Sequence, residues 1–538
     1  MAAISTTGTA TAGSAPPRAA VFAPSADEQI APRRLFAFLA MVFGMFMAIL
    51  DIQIVSASLT EIQAGLAASS NEINWVQTAY LIAEVIMIPL SGYLSRALGT
   101  RMLFAISAGG FTLASLMCGL STNITEMIIW RAIQGFIGGG MIPTVFATAY
   151  IVFPRSKLPI VSPMIGLVAT LAPTIGPTVG GYLTDALSWH WLFFINVVPG
   201  IAVTIAALVL IDFDKPDWSL LNDFDWIGLA SMAGFLGALE YVLEEGPRND
   251  WFGDETVLLM TWVSALSAIV FFVRVLSARA PIVDVRAFGD RNFGLGSIFS
   301  FVLGIGLYGL TYLYPVYLGQ IRGYNALMIG ETMFVSGVFM FLTAPIAGRL
   351  MTRVDVRLML ITGFLLFATG TYWMTYLTRD WDFWELFWPQ VFRGVGLMLS
   401  MIPINNIALG TLPPERVKNA SGLFNLTRNL GGAVGLALLT TVLNDRTDLH
   451  IARLHENFTW AHQPAQEMLT TLTQRFASFG SDAQLMALKQ LNQIVHRQAV
   501  VIAFSDVFLL LTLLFVGLAA MAIIIKRPTG APAGGGGH

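Results

Sequence analysis

Six ionisable side chains interrupt apolar stretches of the sequence: Asp51, Glu84, Arg131, Glu240, Arg393 and Arg428. A charged side chain at the centre of a membrane-spanning helix costs about 2.5–3.5 kcal/mol on insertion scales, so each of these residues needs a partner or a function. Carboxylates and guanidinium groups in such surroundings exchange protons, form ion pairs or bind a charged substrate. These three kinds of chemistry are the ones that the sequence offers.

Asp51 and Arg131 are placed to form an ion pair. With the N-terminus placed in the cytoplasm, each lies about five residues, or roughly 7 Å at 1.5 Å per residue, from the external end of its span. If the two helices are neighbours, Arg131 keeps Asp51 ionised until substrate or a conformational change separates them, and Asp51 then takes a proton. The alternative is a static salt bridge that locks a gate on that side.

The other four residues lie at different depths. Glu84 is near the middle of its stretch, where a carboxyl group suits a proton carrier or a site for a cationic molecule. The alternative for Glu84 is a permanently protonated group that is hydrogen-bonded to a neighbour. Glu240, beside two further acidic residues, is predicted to be interfacial. Arg393 is a candidate for an internal cavity, and Arg428 is predicted to extend its side chain to the membrane surface.

The composition indicates what holds these residues. Of the 538 residues, 55% are hydrophobic and 12% are charged, and that charged share is about half of the usual value for soluble proteins. The apolar stretches are about 20 residues long, which is the length of an α-helix that crosses a bilayer. The sequence therefore predicts an all-α integral membrane protein. A soluble enzyme, a nucleic-acid binder, a disulfide-rich protein and an outer-membrane barrel fit poorly, since the net charge is −3, Cys118 is the single cysteine, and the apolar runs are continuous.

Fourteen spans are predicted, at 35–56, 74–94, 102–120, 127–150, 160–183, 191–211, 225–243, 256–276, 294–318, 327–348, 358–377, 385–410, 422–443 and 501–525. If the N-terminus is cytoplasmic, 19 of the 30 Lys and Arg residues lie in cytoplasmic segments. The short external loops then hold only Arg248, Arg322 and Arg379. This bias predicts that both termini are cytoplasmic.

A faint internal repeat relates the two ends of the chain. Pro89/Pro345 and Gly92/Gly348 are separated by 256 residues, and Gly135/Gly394 and Gly176/Gly435 by 259. The steady offset predicts two six-helix halves, a fold typical of major facilitator transporters. We divide the chain into a disordered cytoplasmic tail (1–32), an N-terminal half (33–211), an inserted two-helix hairpin with its connectors (212–290), a C-terminal half (291–527) and a flexible Gly-rich tail (528–538).

Several motifs resemble one family. They are LDIQIV (50–55), GYLSRALGTR (92–101), RAIQGFIGGG (131–140), GPTVGG (176–181), APIVDVRAFGDRNFGLG (280–296) and LPPERVKNASGLFNLTRNLGGAVG (412–435). They are similar to the motifs of the fourteen-helix drug:proton antiporters of the major facilitator superfamily, specifically the EmrB-type multidrug exporters. The resemblance covers about residues 34–538.

The resemblance implies a bacterial inner-membrane pump that exports amphiphilic or hydrophobic drugs. It implies that the proton motive force drives export without a cofactor. It also implies a tripartite assembly with a periplasmic EmrA-like adaptor and an outer-membrane TolC-like channel. The chain departs from the family at Ser95, where an acidic residue is usual.

Two motifs have both a functional and a purely structural interpretation. The GPTVGG motif contains Gly176, Pro177, Gly180 and Gly181. It favours a pliant, close-packed span that rocks in alternating access. The alternative is ordinary packing of helices through small residues. The second motif is the basic loop that contains Gly92, Arg96, Gly99 and Arg101. Its positive charges are expected to anchor the topology, and the family resemblance implies that it also forms a cytoplasmic gate.

The drug path is expected to be apolar, aromatic and rich in methionine, since such surfaces bind promiscuously. Tyrosines near a span end are also typical of an interface belt, so this alternative stays open. Candidate substrate contacts are Tyr308, Tyr312, Met398, Met401, Asn405, Asn425 and Arg393.

The segment 444–499 is predicted to be an external loop with two amphipathic helices, at QEMLTTLTQRFASF and DAQLMALKQLNQIV. Adaptor docking is the functional hypothesis for it; lying on the membrane or packing on the pump is the alternative. Four of the six histidines are here, but His450 and His455 do not share a helix face and no Cys or acidic cluster completes a metal site.

Two other functions are considered. A transporter of a specific metabolite would share the fold, although the inserted span pair and GPTVGG speak against it. An intramembrane enzyme is disfavoured because no HExxH, GxSxG or catalytic carboxylate pair occurs in the spans.

Overall fold

The computed structural model describes residues 31–222, 224–278, 281–456 and 463–525. The predicted tails 1–32 and 528–538 therefore lie outside the described residues, apart from Ala31 and Pro32. The α-helices in these ranges are α1 Pro32–Ala57, α2 Leu59–Leu66, α3 Ser70–Ala97, α4 Gly99–Gly119, α5 Ile124–Gly138, α6 Met141–Val152, α7 Leu158–Ala186, α8 Trp191–Phe194, α9 Val197–Leu210, α10 Trp226–Glu245, α11 Glu255–Ser277, α12 Arg291–Tyr317, α13 Ala326–Leu350, α14 Val356–Trp373, α15 Phe383–Leu409, α16 Pro414–Glu456, α17 Gln463–Arg475 and α18 Ala483–Met521.

Fourteen stretches within the described residues are long and apolar enough to cross a membrane. The prediction of fourteen spans is thus confirmed for this part of the chain. Two spans are composite: α5 and α6 form one with a break at Gly139–Gly140, and α8 and α9 form another. The chain is a multi-pass membrane protein.

Polar residues begin many of these helices. A Ser, Asn or Asp side chain accepts a hydrogen bond from a free backbone N–H at the start of α3, α5, α10, α11, α12, α13, α14 and α15. In α3 and α15 the capping residue and a glutamate three positions later form a reciprocal capping box. Each cap contributes about 1 kcal/mol, because the first turn of a helix has no internal partners for its N–H groups.

Both ends of the described chain lie on the same side of the bundle, which we call the N-terminal face. Arg33 at the start of α1 donates to the carbonyl of Val209 at the end of α9. Arg291 at the start of α12 donates to the carbonyl of Ile524. An even number of spans requires this arrangement. The other side is called the opposite face.

The hairpin α10–α11 packs against both groups of helices. Gly237 on α10 faces Ile82 and Ile86 on α3. The indole of Trp251, just after α10, donates to Thr441 on α16 at 2.9 Å. The hairpin therefore contacts both halves, through α3 of the first and α16 of the second.

The two halves meet through equivalent glycines. A Cβ on Gly92 of α3 would overlap the backbone carbonyl of Lys418 on α16, and one on Gly348 of α13 would overlap the carbonyl of Pro159 on α7. Gly348 follows Gly92 by 256 residues and Lys418 follows Pro159 by 259, which are the offsets of the sequence repeat. The repeat is thus expressed as two pseudo-symmetric contacts between the halves.

The predicted external loop 444–499 contains continuous helix at both of its ends. Helix α16 continues without a break to Glu456, and α18 already begins at Ala483 and runs into its span. At 1.5 Å per residue, α16 extends roughly 20 Å past the predicted span end. Hydropathy marks where the membrane ends, but backbone hydrogen bonding continues in water when the residues favour helix.

The first predicted amphipathic helix is α17, which packs against α18, whereas the second is the polar start of α18 itself. The predicted loop also contains residues 457–462, which lie outside the described ranges.

We expect that Gly135→Ala and Gly394→Ala each destabilise the folded protein. A Cβ at Gly135 would collide with the backbone carbonyl of Tyr80, and one at Gly394 would lie 2.5 Å from the carbonyl of Ser336. Overpacking against rigid backbone costs about 1–3 kcal/mol. Thermal unfolding of the purified protein in detergent measures the loss.

Gly517→Ala is the matched control, because nothing lies within 4 Å of a Cβ at this position on α18. It should leave the midpoint unchanged or raise it, since alanine favours helix. Equal midpoints for all three variants would contradict the close-contact argument.

Candidate functional site

Asp51 and Arg131 form an ion pair inside the N-terminal half. Arg131 Nη1 lies 2.6 Å from Asp51 Oδ2, and both side chains are fully buried. Asp51 is on α1 and Arg131 on α5, so the predicted ion pair between these two spans is present. The guanidinium also stacks over the ring of Tyr80, with its carbon 4.2 Å from the ring centroid.

Neutral side chains complete the surroundings of the pair. Asp51 Oδ1 accepts from Asn196 at 2.8 Å and from Gln134 at 3.2 Å. Arg131 Nη1 also donates to Gln134 Oε1 at 2.7 Å, and Arg131 Nε donates to the carbonyl of Val76. Every oxygen of this buried carboxylate therefore has a donor, which is what stabilises charge away from water.

Gln134 and Asn196 are two functional residues that were not predicted from the sequence. Gln134 is one helical turn after Arg131, a spacing that places both on one face of α5. That signal was available in RAIQG. No spacing rule connects Asn196 to Asp51, because 145 residues separate them. Only the packing of α1 beside the start of α9 brings them together.

Glu84 lies one turn after Tyr80 on α3 and is buried. Its side chain packs beside Gly139, at the break between α5 and α6, where a Cβ would lie 3.2 Å from Glu84 Cγ. Glu84 is thus close to the Asp51–Arg131 pair without joining its hydrogen bonds.

The GPTVGG segment remains helical. Helix α7 runs through Pro163, Pro173 and Pro177. A Cβ on Gly176 would overlap the side chain of Gln53, and one on Gly180 would lie 3.0 Å from the carbonyl of Ile54. These glycines let α7 approach α1 closely, three residues from Asp51.

The predicted gate residues behave differently from one another. Gly92 lies against Lys418, and Gly99 turns the chain between α3 and α4 with φ +80°. Arg96 donates to Asn419 Oδ1 at 3.2 Å once the Asn419 amide is oriented to satisfy both of its atoms. Arg101 is exposed, so the structure does not bring it into this contact.

Lys418 and Asp214 form the ionic part of this contact. Lys418 donates to the carbonyl of Ser95 at 3.0 Å and pairs with the carboxylate of Asp214. Asp214 also accepts from the backbone N–H and the hydroxyl of Thr100 at 3.0 Å. An acidic residue is therefore not needed at position 95, because Asp214 in the connector after α9 supplies the carboxylate. The sequence analysis missed this role of Asp214.

The C-terminal half contains a different arrangement at the corresponding place. Arg393 on α15 donates to Thr311 at 3.0 Å and to Gln390 at 3.4 Å. Its guanidinium lies over the ring of Tyr314. A hydroxyl and an amide thus stand where the N-terminal half has a carboxylate.

The prediction that Arg428 reaches the membrane surface is wrong. Arg428 is buried, and its Nη2 donates to Asn405 at 2.9 Å. The side chain points between the halves, where aromatic rings and α15 surround it. Glu240 is likewise buried, on a helix that packs against α3, and its interfacial depth stays a prediction.

The remaining substrate candidates are scattered. Met398 and Met401 are fully buried in the core, and Tyr312 is 37% exposed. Tyr308 donates to Asn429 at 3.3 Å, and Asn425 donates to a backbone carbonyl of its own helix. Of these candidates, Asn405 accepts a hydrogen bond from Arg428.

Two polar clusters lie toward the opposite face. His450 Nε2 is 2.8 Å from Asp506 Oδ2, and Arg446 is 3.8 Å from the same oxygen. The sequence analysis overlooked Asp506 within its predicted span. Asp382 accepts from the hydroxyl of Tyr324 and the N–H of Phe383, and these hydrogen bonds lower the pKa of the Asp382 carboxyl.

Comparison with known proteins adds family information to this geometry. Residues 41–436 match the family described as the Major Facilitator Superfamily. The chain is 42% identical over 490 residues to the colistin resistance protein EmrB of Acinetobacter baumannii, covering 91% of this chain and 96% of that one. It is 31% identical over 500 residues to the multidrug export protein EmrB of Escherichia coli, covering 93% and 96%.

A solved structure has a similar fold. The human organic anion transporter MFSD10 (TETRAN) aligns with a TM-score of 0.55 and 13% identity, over 90% of this chain and all of that one. At this identity the likeness concerns the fold alone.

We expect that Asp214→Asn loosens the contact between the halves at the N-terminal face. Without the carboxylate, Lys418 keeps its bond to Ser95 but loses its ionic partner. In a Cys118→Ala background, a Ser421→Cys reporter tests this, since Ser421 donates across the interface to the carbonyl of Pro143 at 3.0 Å. The rate of labelling by a maleimide should rise about tenfold, equal to 1.4 kcal/mol.

Asp212→Asn is the control, because Asp212 is an exposed carboxylate in the same connector. It removes the same charge and should leave the labelling rate unchanged. If both variants label alike, the Asp214–Lys418 pair does not hold the contact closed.

Proposed function

This chain belongs to the major facilitator superfamily, as an EmrB-type exporter of the multidrug and resistance class, and we propose that it exchanges amphiphilic drugs for protons. Its activity is transport and not an enzymatic reaction. We further propose that it lies in the bacterial inner membrane, with the N-terminal face in the cytoplasm. The bias of Lys and Arg toward that face supports this orientation.

The buried Asp51–Arg131 pair carries the proposal of proton coupling. A carboxylate inside a membrane protein stays ionised while a guanidinium and other donors hold it. When these donors move away, the same carboxyl group takes a proton from the side to which it is open. Proton entry and drug exit are then two consequences of one movement, with no cofactor required.

Helix α7 is placed to transmit this movement. It contacts α1 beside Asp51 through Gly176 and Gly180, and it contacts α13 of the other half through Pro159. A shift of α7 relative to α13 therefore changes the packing around the Asp51 helix. The Lys418–Asp214 pair and the Gly92 contact are proposed to form the cytoplasmic gate that this shift opens.

We propose that the pump works with a periplasmic EmrA-like adaptor and an outer-membrane TolC-like channel. The extensions of α16 and α18 project from the opposite face, and α17 packs against α18. Helical extensions are more rigid than loops, so they suit a docking platform for a partner protein.

Transport of one specific metabolite by the same fold is the alternative. A broad drug panel distinguishes the two, because a metabolite carrier would confer no resistance on a host that lacks its own pumps.

We expect that Asp51→Asn abolishes drug-evoked proton flux and leaves the protein folded. Asparagine keeps the shape and one acceptor but neither binds nor releases a proton in this range. Energised everted vesicles with a pH-sensitive dye measure proton release upon drug addition. The flux should fall at least about tenfold. A flux equal to that of the wild type would contradict the proton-coupling role of Asp51.

Arg131 provides the companion variants. Arg131→Ala leaves the buried carboxyl group without its cation, so the group should stay protonated and transport should stop. Arg131→Lys keeps the charge but not the forked geometry, and it should retain part of the flux. Equal loss in both would indicate that the shape of the arginine matters and its charge does not.

Replacement of residues 463–482 by a Gly/Ser linker of the same length should separate transport from resistance. This change removes α17 and leaves α16 and α18 intact. If α17 docks the adaptor, vesicle transport stays normal while whole-cell resistance falls, because drug released into the periplasm re-enters. Loss in both assays would instead favour a packing role for α17.

A further inference from the structure

Arg428 occupies a position between the two halves that the proposed proton cycle does not use. It lies on α16 of the C-terminal half, and its guanidinium carbon is 5.1 Å from the ring centroids of both Phe146 and Phe424. Phe146 belongs to α6 of the N-terminal half. The surroundings of Arg428 therefore form only when the halves come together.

The guanidinium is incompletely partnered. Its Nη2 donates to Asn405 Oδ1 at 2.9 Å, whereas its Nε is buried and has no hydrogen-bond partner among the described residues. The amide nitrogen of Asn405 is also buried and has no hydrogen-bond partner among the described residues. Two buried donors, one on α15 and one on α16, thus belong to hydrogen-bonded neighbours and are each able to receive an acceptor oxygen.

No carboxylate pairs with Arg428 in the described part of the chain, in contrast to Arg131, which has Asp51. Its guanidinium carbon instead lies 5.1 Å from the ring centroids of Phe146 and Phe424. Aromatic ring faces attract a cation, but less strongly than a carboxylate does. An arginine keeps its charge at physiological pH, so the charge at this place is only partly compensated.

We propose that Arg428 and Asn405 bind the carboxylate of acidic amphiphilic substrates between the halves. The planar guanidinium matches a carboxylate, which accepts two parallel hydrogen bonds. The rings of Phe146 and Phe424 provide an apolar wall for the chain of the same molecule. This inference rests on the proposed export function, because it names one chemical class of the substrate.

The site spans the two halves, so it is sensitive to their movement. Phe146 leaves Arg428 when α6 and α16 separate, and water then reaches the guanidinium and weakens its hold on the anion. Binding in the closed arrangement and release in the open one follow from the same geometry.

The test compares two probes with the same dansyl group and alkyl chain, of which only one carries a carboxylate: dansylaminoundecanoic acid and its methyl ester. Dansyl fluorescence reports their binding to the purified full-length protein in detergent, without a proton gradient. Wild-type protein should bind the acid about tenfold more tightly than the ester. Arg428→Gln should reduce this preference to about twofold or less, mainly by weakening binding of the acid.

Arg416→Gln is the matched control, since Arg416 is an exposed arginine on the same helix. It removes one positive charge and should leave the preference intact. A wild-type protein without preference for the acid overturns the proposal, and so does an Arg428→Gln protein that keeps the preference.

A second variant decides the matter if Arg428→Gln does not fold. Asn405→Asp places a carboxylate beside Arg428, where it competes with the acid. Affinity for the acid should fall about tenfold while affinity for the ester stays the same. Unchanged affinity for the acid would exclude this site.

The outcome is separable from that of the proton-coupling test. Asp51→Asn protein should keep the acid preference although its proton flux is lost, because Asp51 is absent from the Arg428 surroundings. An Asp51→Asn protein with normal flux would refute the coupling role of Asp51 and leave the binding site untouched.

Discussion

A charge inside the bilayer has no water to stabilise it, and this constraint organises the whole molecule. The Asp51–Arg131 pair satisfies it with a short ion pair, two amide donors and an aromatic face. Four elements must stay in register for that arrangement: α1, α3, α5 and the junction of α8 and α9. The same dependence makes the pair sensitive to movement, because a small shift of any of these helices removes a partner.

Close packing between helices restricts the direction in which they can shift. Glycines allow α7 to lie against α1 and allow each half to touch the other through backbone atoms. Backbone contacts are rigid, so helices joined in this way move as units and not as separate side chains. The pseudo-symmetric pair of contacts, Gly92 with Lys418 and Gly348 with Pro159, places two such joints on either side of the central axis. Rocking of one half against the other is the motion that this arrangement favours.

The three buried arginines show how the halves have diverged. Arg131 has a carboxylate, Arg393 has a hydroxyl and an amide of its own half, and Arg428 has an amide and two aromatic rings from both halves. Compensation of the arginine's positive charge decreases in this order, from a carboxylate partner to neutral partners only. We therefore propose that proton exchange occurs in the N-terminal half, while the least compensated arginine lies between the halves, where the substrate is proposed to bind.

Much of this was determined by the sequence alone. Apolar length set the number of spans, the repeat offset predicted two related halves, and equal depth predicted that Asp51 meets Arg131. These features depend on local composition and on distances along a helix, which a linear chain records directly. The roles of Gln134, Asn196 and Asp214 and the burial of Arg428 and Glu240 required the tertiary structure. Each depends on which helices are neighbours and how far each is rotated about its axis, and these are decided by packing between segments that lie far apart in the chain. The helical extensions of α16 and α18 also needed the structure, because hydropathy changes at the membrane surface while backbone hydrogen bonding does not.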